Sequence, residues 1–90
     1  MTAHLIITGF VQGVGFRQFV KKNAKSRGVT GWVRNMPDGS VEAVLDGNKE
    51  ILEEIINICN QGPVFGQVQK VFVTWEDAHE VYSSFEILHD

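Results

Sequence analysis

Residues 9–17 contain the sharpest change of pattern in this 90-residue chain, reading Gly9-Phe10-Val11-Gln12-Gly13-Val14-Gly15-Phe16-Arg17. Alternating apolar residues stop at Val11, glycines follow, and helical spacing begins at Phe16, so a strand should pass into a helix. Backbone N–H groups of such a loop can point into one concavity, and the helix N-terminus adds partial positive charge. Arg17 stands at the mouth with a planar fork suited to two phosphoryl oxygens. The stretch predicts an anion site, although an ordinary turn beside an exposed arginine would give the same pattern.

The rest of the chain alternates between strand and helix patterns. The hydrophobic period predicts strands over residues 4–11, 29–35, 40–45 and 68–75, a short edge strand over 84–88, and helices over 16–27 and 49–60. Both faces of the first strand are largely apolar, which indicates a central position in a sheet. The run Met36-Pro37-Asp38-Gly39 is typical of a tight hairpin.

The predicted order is β-α-β-β-α-β plus a short edge strand. Two helices and one hairpin cannot bury their apolar faces separately, so the economical packing places both helices on one face of an antiparallel sheet. The sequence therefore predicts the α+β class and, within it, a ferredoxin-like split βαβ sandwich. At 10.1 kDa the chain has room for one core, so we expect a single domain over residues 1–90.

Composition excludes several classes of protein. With 43% hydrophobic and 21% charged residues, the chain has the composition of a soluble globular protein and not that of a disordered or fibrous one. Its single cysteine, Cys59, cannot form an intrachain disulfide, and it lies on an apolar helix stripe where a buried inert thiol is the ordinary interpretation. The histidines His4, His79 and His89 lack metal-site spacing. No apolar run approaches the ~18 residues of a membrane span and no signal peptide is evident. We expect a cytoplasmic protein that binds neither a membrane nor a metal.

Charge is distributed unevenly along the chain. Six of the eight basic residues precede Pro37, and all eleven acidic residues come at or after Asp38. An anionic ligand would favour the front half, although a solvated helix face is the ordinary interpretation of Lys21, Lys22 and Lys25.

Two stretches together resemble the acylphosphatase family. Gly-x-Val-Gln-Gly-Val-x-Phe-Arg is matched by residues 9–17, and Gly-Trp-Val-Arg-Asn-x-x-x-Gly-x-Val by residues 31–41. The likeness covers essentially the whole chain, including Gly47, the Gly62-Pro63 loop and Phe85-Glu86-Ile87. The fold of the acylphosphatase family is the ferredoxin-like one. The chain departs from many relatives in its acidic end, Leu88-His89-Asp90.

The resemblance implies hydrolysis of acyl phosphates, the anhydrides of a carboxylic acid and phosphate, to a carboxylate and inorganic phosphate. The family's phosphate-binding arginine corresponds to Arg17 and its water-orienting asparagine to Asn35. Its phosphate cradle corresponds to the backbone amides of residues 13–17, with Gln12 at the lip; by name these are Gly13, Val14, Gly15, Phe16 and Arg17. No metal or other cofactor is implied. The expected ligands are a small acyl phosphate and inorganic phosphate, which is both product and inhibitor, and the expected state is a monomer.

Other interpretations compete with parts of this hypothesis. Asn35 alone would most often make a local turn hydrogen bond, and Trp32 could pack on the sheet or line an acyl pocket. A ferredoxin-like sheet can also bind single-stranded RNA, but the aromatic signature is missing from residues 40–44 and the sheet is acidic, so we expect no nucleic-acid binding. Acylphosphatase-like domains also occur inside larger carbamoyl-transfer maturation proteins. Because this sequence stops at Asp90, we expect the stand-alone enzyme.

Overall fold

The computed structural model describes residues 1–77 and 82–89. Every predicted strand and helix is present, and their ends move by no more than two residues; the predicted acidic end at Asp90 lies outside the described residues. The elements are β1 (Thr2–Phe10), α1 (Phe16–Lys25), β2 (Thr30–Asn35), β3 (Val41–Asp46), α2 (Lys49–Gln61), β4 (Gln67–Glu76) and β5 (Phe85–Leu88). Neither helix in these described ranges is long and apolar enough to cross a membrane.

The five strands form one sheet in the order β4-β1-β3-β2-β5, with β1 central as predicted. Helix α1 packs against β2 and β5, and α2 packs against β4 and β1. This arrangement confirms the ferredoxin-like α+β fold. Strands β1 to β4 pair antiparallel as predicted, and the short edge strand β5 makes the sheet mixed because it pairs in parallel with β2. After β4 the chain reverses and reaches the opposite edge of the sheet, so its direction there matches that of β2.

The core lies between the helices and the sheet. Residues Ala3, Leu5 and Ile7 alternate toward it from β1, which is the period of two that a strand imposes. They meet a set of fully buried apolar side chains from both helices and from the neighbouring strands, including Phe16, Val20, Val33, Leu45, Leu52 and Ile55.

Strand register brings the functional segments to one end of the sheet. Residue Val41, at the start of β3, pairs with Ile7 near the end of β1 and with Asn35 at the end of β2. Strand β5 runs parallel to β2, so its last residues lie at this end too. The loop of residues 11–15, the hairpin of residues 36–40 and the end of β5 are therefore neighbours.

A polar network covers part of the sheet face opposite the helices. The Nε2 atom of His4 lies 2.6 Å from Oε2 of Glu42, and Arg34 Nε donates to Oε1 of Glu42 over 2.7 Å. Burial raises the pKa of Glu42, but the hydrogen bonds to His4 and Arg34, with their charges, outweigh burial and hold this pKa below its usual range. Three strands are thereby joined through one carboxylate.

Candidate active site

The loop of residues 11–15 is set by the end of β1 and the start of α1. Strand β1 carries an irregularity between Thr8 and Gly9, and a Cβ at Gly9 would lie 2.3 Å from the carbonyl oxygen of Gln67, so no larger residue fits there. Residue Gly15 caps α1 with φ 79°, the left-handed region that favours glycine. The buried ring of Phe16 and the buried side chain of Val11 anchor the loop and the helix start to the core.

The start of α1 offers backbone donors without acceptors. The cap Gly15 provides no side-chain hydrogen bond, and the first turn contains no acidic residue. The first backbone bond of the helix runs from Phe19 N–H to the Gly15 carbonyl, over 3.0 Å. Within residues 1–77 and 82–89, the N–H groups of residues 13–18 have no hydrogen-bond acceptor. Free N–H groups and the helix dipole make this end attractive to an anion.

The side chain of Gln12 joins this loop to the β2–β3 hairpin. Its amide nitrogen donates to the carbonyl oxygens of Met36 and Ser40, over 2.8 and 2.9 Å. The hairpin is closed by Met36 N–H donating to Ser40, and by Asp38, whose carboxylate accepts from the hydroxyl and backbone N–H of Ser40. Those two hydrogen bonds lower the pKa of Asp38. The predicted turn is confirmed, and Gln12 fixes it relative to the loop.

The side chain of Asn35 carries a buried oxygen without a partner in the described ranges. Its carboxamide oxygen is buried and accepts no hydrogen bond, and it is the only buried side-chain polar atom without a partner in the described ranges. The local turn bond considered from the sequence is therefore not formed by this oxygen. A buried unsatisfied acceptor costs about 1–3 kcal/mol, which is tolerated where a functional partner completes it.

Arg17 and Asn35 line the same cavity, which has a volume of about 110 Å³. Its remaining walls come from the loop, α1 and the end of the chain: Val11, Gly13, Gly15, Phe16, Gln18, Ile87 and His89. Most of the predicted cradle is thus brought together around the guanidinium. Gln12 and Val14 are not among the lining residues.

Comparison with known proteins agrees with this geometry. The family model described as Acylphosphatase matches residues 3–87. The chain is 44% identical over 85 residues to an acylphosphatase of Pelotomaculum thermopropionicum, covering 94% of this chain and 92% of the relative. It superposes on the crystal structure of acylphosphatase from Bacillus subtilis with a TM-score of 0.95 and 35% identity, over 98% of both chains. The chain belongs to the acylphosphatase family.

The acylphosphatase fold also occurs in a much larger relative. The chain superposes on full-length HypF, in its phosphate- and nucleotide-bound form, with a TM-score of 0.82 and 27% identity. That match covers 98% of this chain but 12% of HypF. The similarity to the Bacillus subtilis acylphosphatase is closer in both identity and TM-score.

Four cavity residues of this acylphosphatase were not predicted from the sequence. Two of them, Val11 and Gln18, lie beside the predicted cradle, whereas the other two lie far along the chain. Residues Ile87 and His89 lie at the end of β5, and Nδ1 of His89 is 3.4 Å from Nη1 of Arg17. In the last pair of the parallel ladder Arg34 lies opposite Leu88, so Asn35 and His89 come next on their strands. Prediction of Ile87 and His89 as cavity residues would have required the pairing of β5 with β2, and the spacing of strands along the sequence does not predict that pairing.

Other candidate residues lie elsewhere. A groove of about 560 Å³ between α2 and β4 has no charged side chain among its lining residues, so it offers an oxyanion no cationic partner. Burial of Cys59 raises the pKa of its thiol to about 12, which agrees with an inert cysteine. The ring of Trp32 packs under the guanidinium of Arg34 at 5.3 Å and does not line the site cavity. No cluster of three metal-ligating side chains occurs in the part of the chain that the structure describes.

Proposed function

We propose that Arg17 and the free N–H groups at the start of α1 bind the phosphoryl group of an acyl phosphate, while Asn35 orients the attacking water. The reaction class follows from the family: the protein is an acylphosphatase, a hydrolase of carboxyl–phosphate anhydrides. The roles of individual residues are our proposal. It rests on one observation, that the unpartnered carboxamide oxygen of Asn35 and the guanidinium of Arg17 belong to one small cavity.

The charge of the cavity supports an anionic ligand. Within the described ranges no carboxylate forms an ion pair with Arg17, whereas Arg27 pairs with Glu54 and Arg34 with Glu42. A guanidinium that is not neutralised by the protein can devote its planar donors to two phosphoryl oxygens. Residues Gly13 and Gly15 also line the cavity, and their backbone N–H groups, which have no acceptor in the described ranges, are further donors for the anion.

Asn35 has the chemistry needed to direct water. Its carboxamide oxygen can accept a hydrogen bond from water, and a cavity of about 110 Å³ is large enough to hold one. The water oxygen attacks phosphorus, the bond from phosphorus to the acyl oxygen breaks, and the carboxylate leaves with the bonding electron pair. The proton lost by water passes to solvent or to the phosphate product.

A small site suffices because the leaving group is a stable carboxylate, which needs no protonation. Charge in the loose transition state of phosphoryl transfer is spread over the peripheral oxygens. Stabilising those oxygens and aligning water in line are the two tasks that remain. Gln12 serves both in this proposal, because its side chain ties the phosphate loop to the hairpin that follows Asn35.

The test is hydrolysis of benzoyl phosphate in the presence of EDTA. The reaction is monitored as the loss of the ultraviolet absorbance of benzoyl phosphate. We expect rapid hydrolysis that EDTA does not reduce, together with competitive inhibition by inorganic phosphate. Hydrolysis without phosphate inhibition would contradict the cradle, and loss of activity in EDTA would contradict metal independence. Absence of hydrolysis by the folded protein would contradict the proposed function.

The same proposal includes a single-domain monomer that acts in the cytoplasm. Its only cysteine is free and buried, so the fold does not depend on an oxidising compartment. Light scattering during gel filtration should give the mass of one chain, and a stable dimer would contradict this part of the proposal.

A further inference from the structure

The geometry points to His89 as the positioning residue for the Arg17 guanidinium. This inference rests on the proposed function, because it concerns the orientation of the phosphate-binding arginine. It assigns a role to the end of β5, where the sequence pattern gives no functional residue.

The fold places His89 under the start of α1. Side chains alternate along β2 and β5, so buried Val33 and its partner Ile87 share the face that carries the helices. Two residues further along, Asn35 and His89 point to that same face, and both line the cavity. The position of His89 is therefore dictated by the parallel register.

The contact itself joins Nη1 of Arg17 to Nδ1 of His89, at 3.4 Å. An arginine has only donors, so this contact is a hydrogen bond when Nδ1 is the acceptor and the imidazole proton is on Nε2. This is the sole hydrogen bond that the Arg17 side chain makes in the described ranges. His89 is thus the one protein group there that restrains the guanidinium, and it occupies one of five N–H donors while leaving the others for an anion.

Restraint of this kind acts on ligand affinity. A long arginine side chain loses rotamer freedom when it binds phosphate, and a partner that already holds it reduces that loss. Removal of the acceptor should therefore weaken phosphate binding through Arg17, without any direct contact between His89 and the phosphate. A direct contact is the competing explanation, and the two are separable.

The experiment compares His89→Phe, which keeps a ring without an acceptor, with His89→Asn, whose side-chain oxygen can replace Nδ1. Inorganic phosphate binding is measured by calorimetry, and KM and kcat with benzoyl phosphate. We expect His89→Phe to weaken phosphate affinity about three- to tenfold and to raise KM similarly, with a smaller change in kcat. His89→Asn should recover most of the affinity. Leu88→Ala, on the other face of β5, controls for general disturbance, and thermal unfolding confirms that each variant is folded.

A double-mutant cycle decides between positioning and direct contact. In an Arg17→Ala background, His89→Phe should cause no further loss of phosphate affinity. A further loss there would overturn the inference, as would an unchanged affinity in the single variant or no recovery with His89→Asn. Benzoyl phosphate hydrolysis by the parent protein is measured first: its absence contradicts the proposed function, whereas a null effect of His89→Phe in an active enzyme contradicts only the role of His89.

Discussion

The side-chain amide of Gln12 donates a 2.8 Å hydrogen bond to the main-chain carbonyl of Met36, one residue after Asn35. A second bond from the same nitrogen reaches Ser40 at 2.9 Å. The loop that precedes α1 and the hairpin that follows β2 are therefore held at a fixed separation. In the proposed mechanism the loop binds the phosphoryl group and Asn35 binds the attacking water, so this separation controls the distance between phosphorus and water.

Gln12→Ala should lower both stability and turnover. The carbonyl oxygens of Met36 and Ser40 lose a half-buried donor, which should cost about 1–2 kcal/mol in the free energy of unfolding. Because loop and hairpin are no longer tied, kcat should fall about tenfold or more, since small misplacements of reacting groups are costly. Urea unfolding and steady-state kinetics measure the two effects. Gln69→Ala, on exposed β4, is the control, and unchanged kcat in Gln12→Ala would show that the tie is unimportant for catalysis.

Arg17→Ala should nearly abolish hydrolysis. A positioned arginine contributes about 10³–10⁵ in rate at related phosphoryl-transfer sites, and in this cavity no other cationic side chain except His89, when protonated, is available to replace it. Inorganic phosphate affinity should fall as well, because the same guanidinium binds substrate and product. Kinetics with benzoyl phosphate and phosphate calorimetry measure the two losses. Arg27→Ala, at the far end of α1, serves as the matched control. Full phosphate affinity in Arg17→Ala would contradict its assignment to the phosphoryl group.

Asn35→Ala should separate binding from chemistry. The carboxamide is proposed to contact water and not the anion, so phosphate affinity should stay within about twofold of the parent, while kcat falls about 10²–10³-fold as for other preorganised polar groups. Because the buried carboxamide oxygen has no partner in the described ranges, its removal should not destabilise the fold. Asn57→Ala on the exposed face of α2 is the control. A variant that keeps most of the parent rate would refute the role of Asn35.

Local patterns predicted most of this molecule. Three short-range signals each predicted an element that the structure contains: the spacing of apolar residues, the glycines around Gln12 and the Pro37-Asp38-Gly39 turn. The partnership of Arg17 with Asn35 came from the family resemblance, and the cavity they share is consistent with it. The parallel pairing of β5 and the place of His89 depend on a crossover to the far sheet edge, which leaves no periodic trace in the sequence. The alternation of residues along a strand also does not predict that the Gln12 side chain donates a hydrogen bond to the hairpin.

The network around Glu42 should make stability depend on pH in a defined direction. The pKa of Glu42 is lower in the folded protein than the ordinary glutamate value of 4.5, because the hydrogen bonds with His4 and Arg34 exceed the effect of burial. The carboxylate therefore stabilises the fold fully above the pKa it has when unfolded, and this contribution is lost as pH falls through the lowered folded pKa. Glu42→Gln should reduce the free energy of unfolding by about 1–3 kcal/mol at pH 7.

The difference between Glu42→Gln and the parent should then shrink as the pH is lowered below 4.5. Urea unfolding at a series of pH values from neutral to acid measures this difference. The exposed Glu53 of α2 provides the control, since Glu53→Gln should leave stability within about 0.5 kcal/mol at every pH. A stability difference for Glu42→Gln that stays constant, or grows, as the solution becomes more acidic would show that ionised Glu42 is not what joins the three strands.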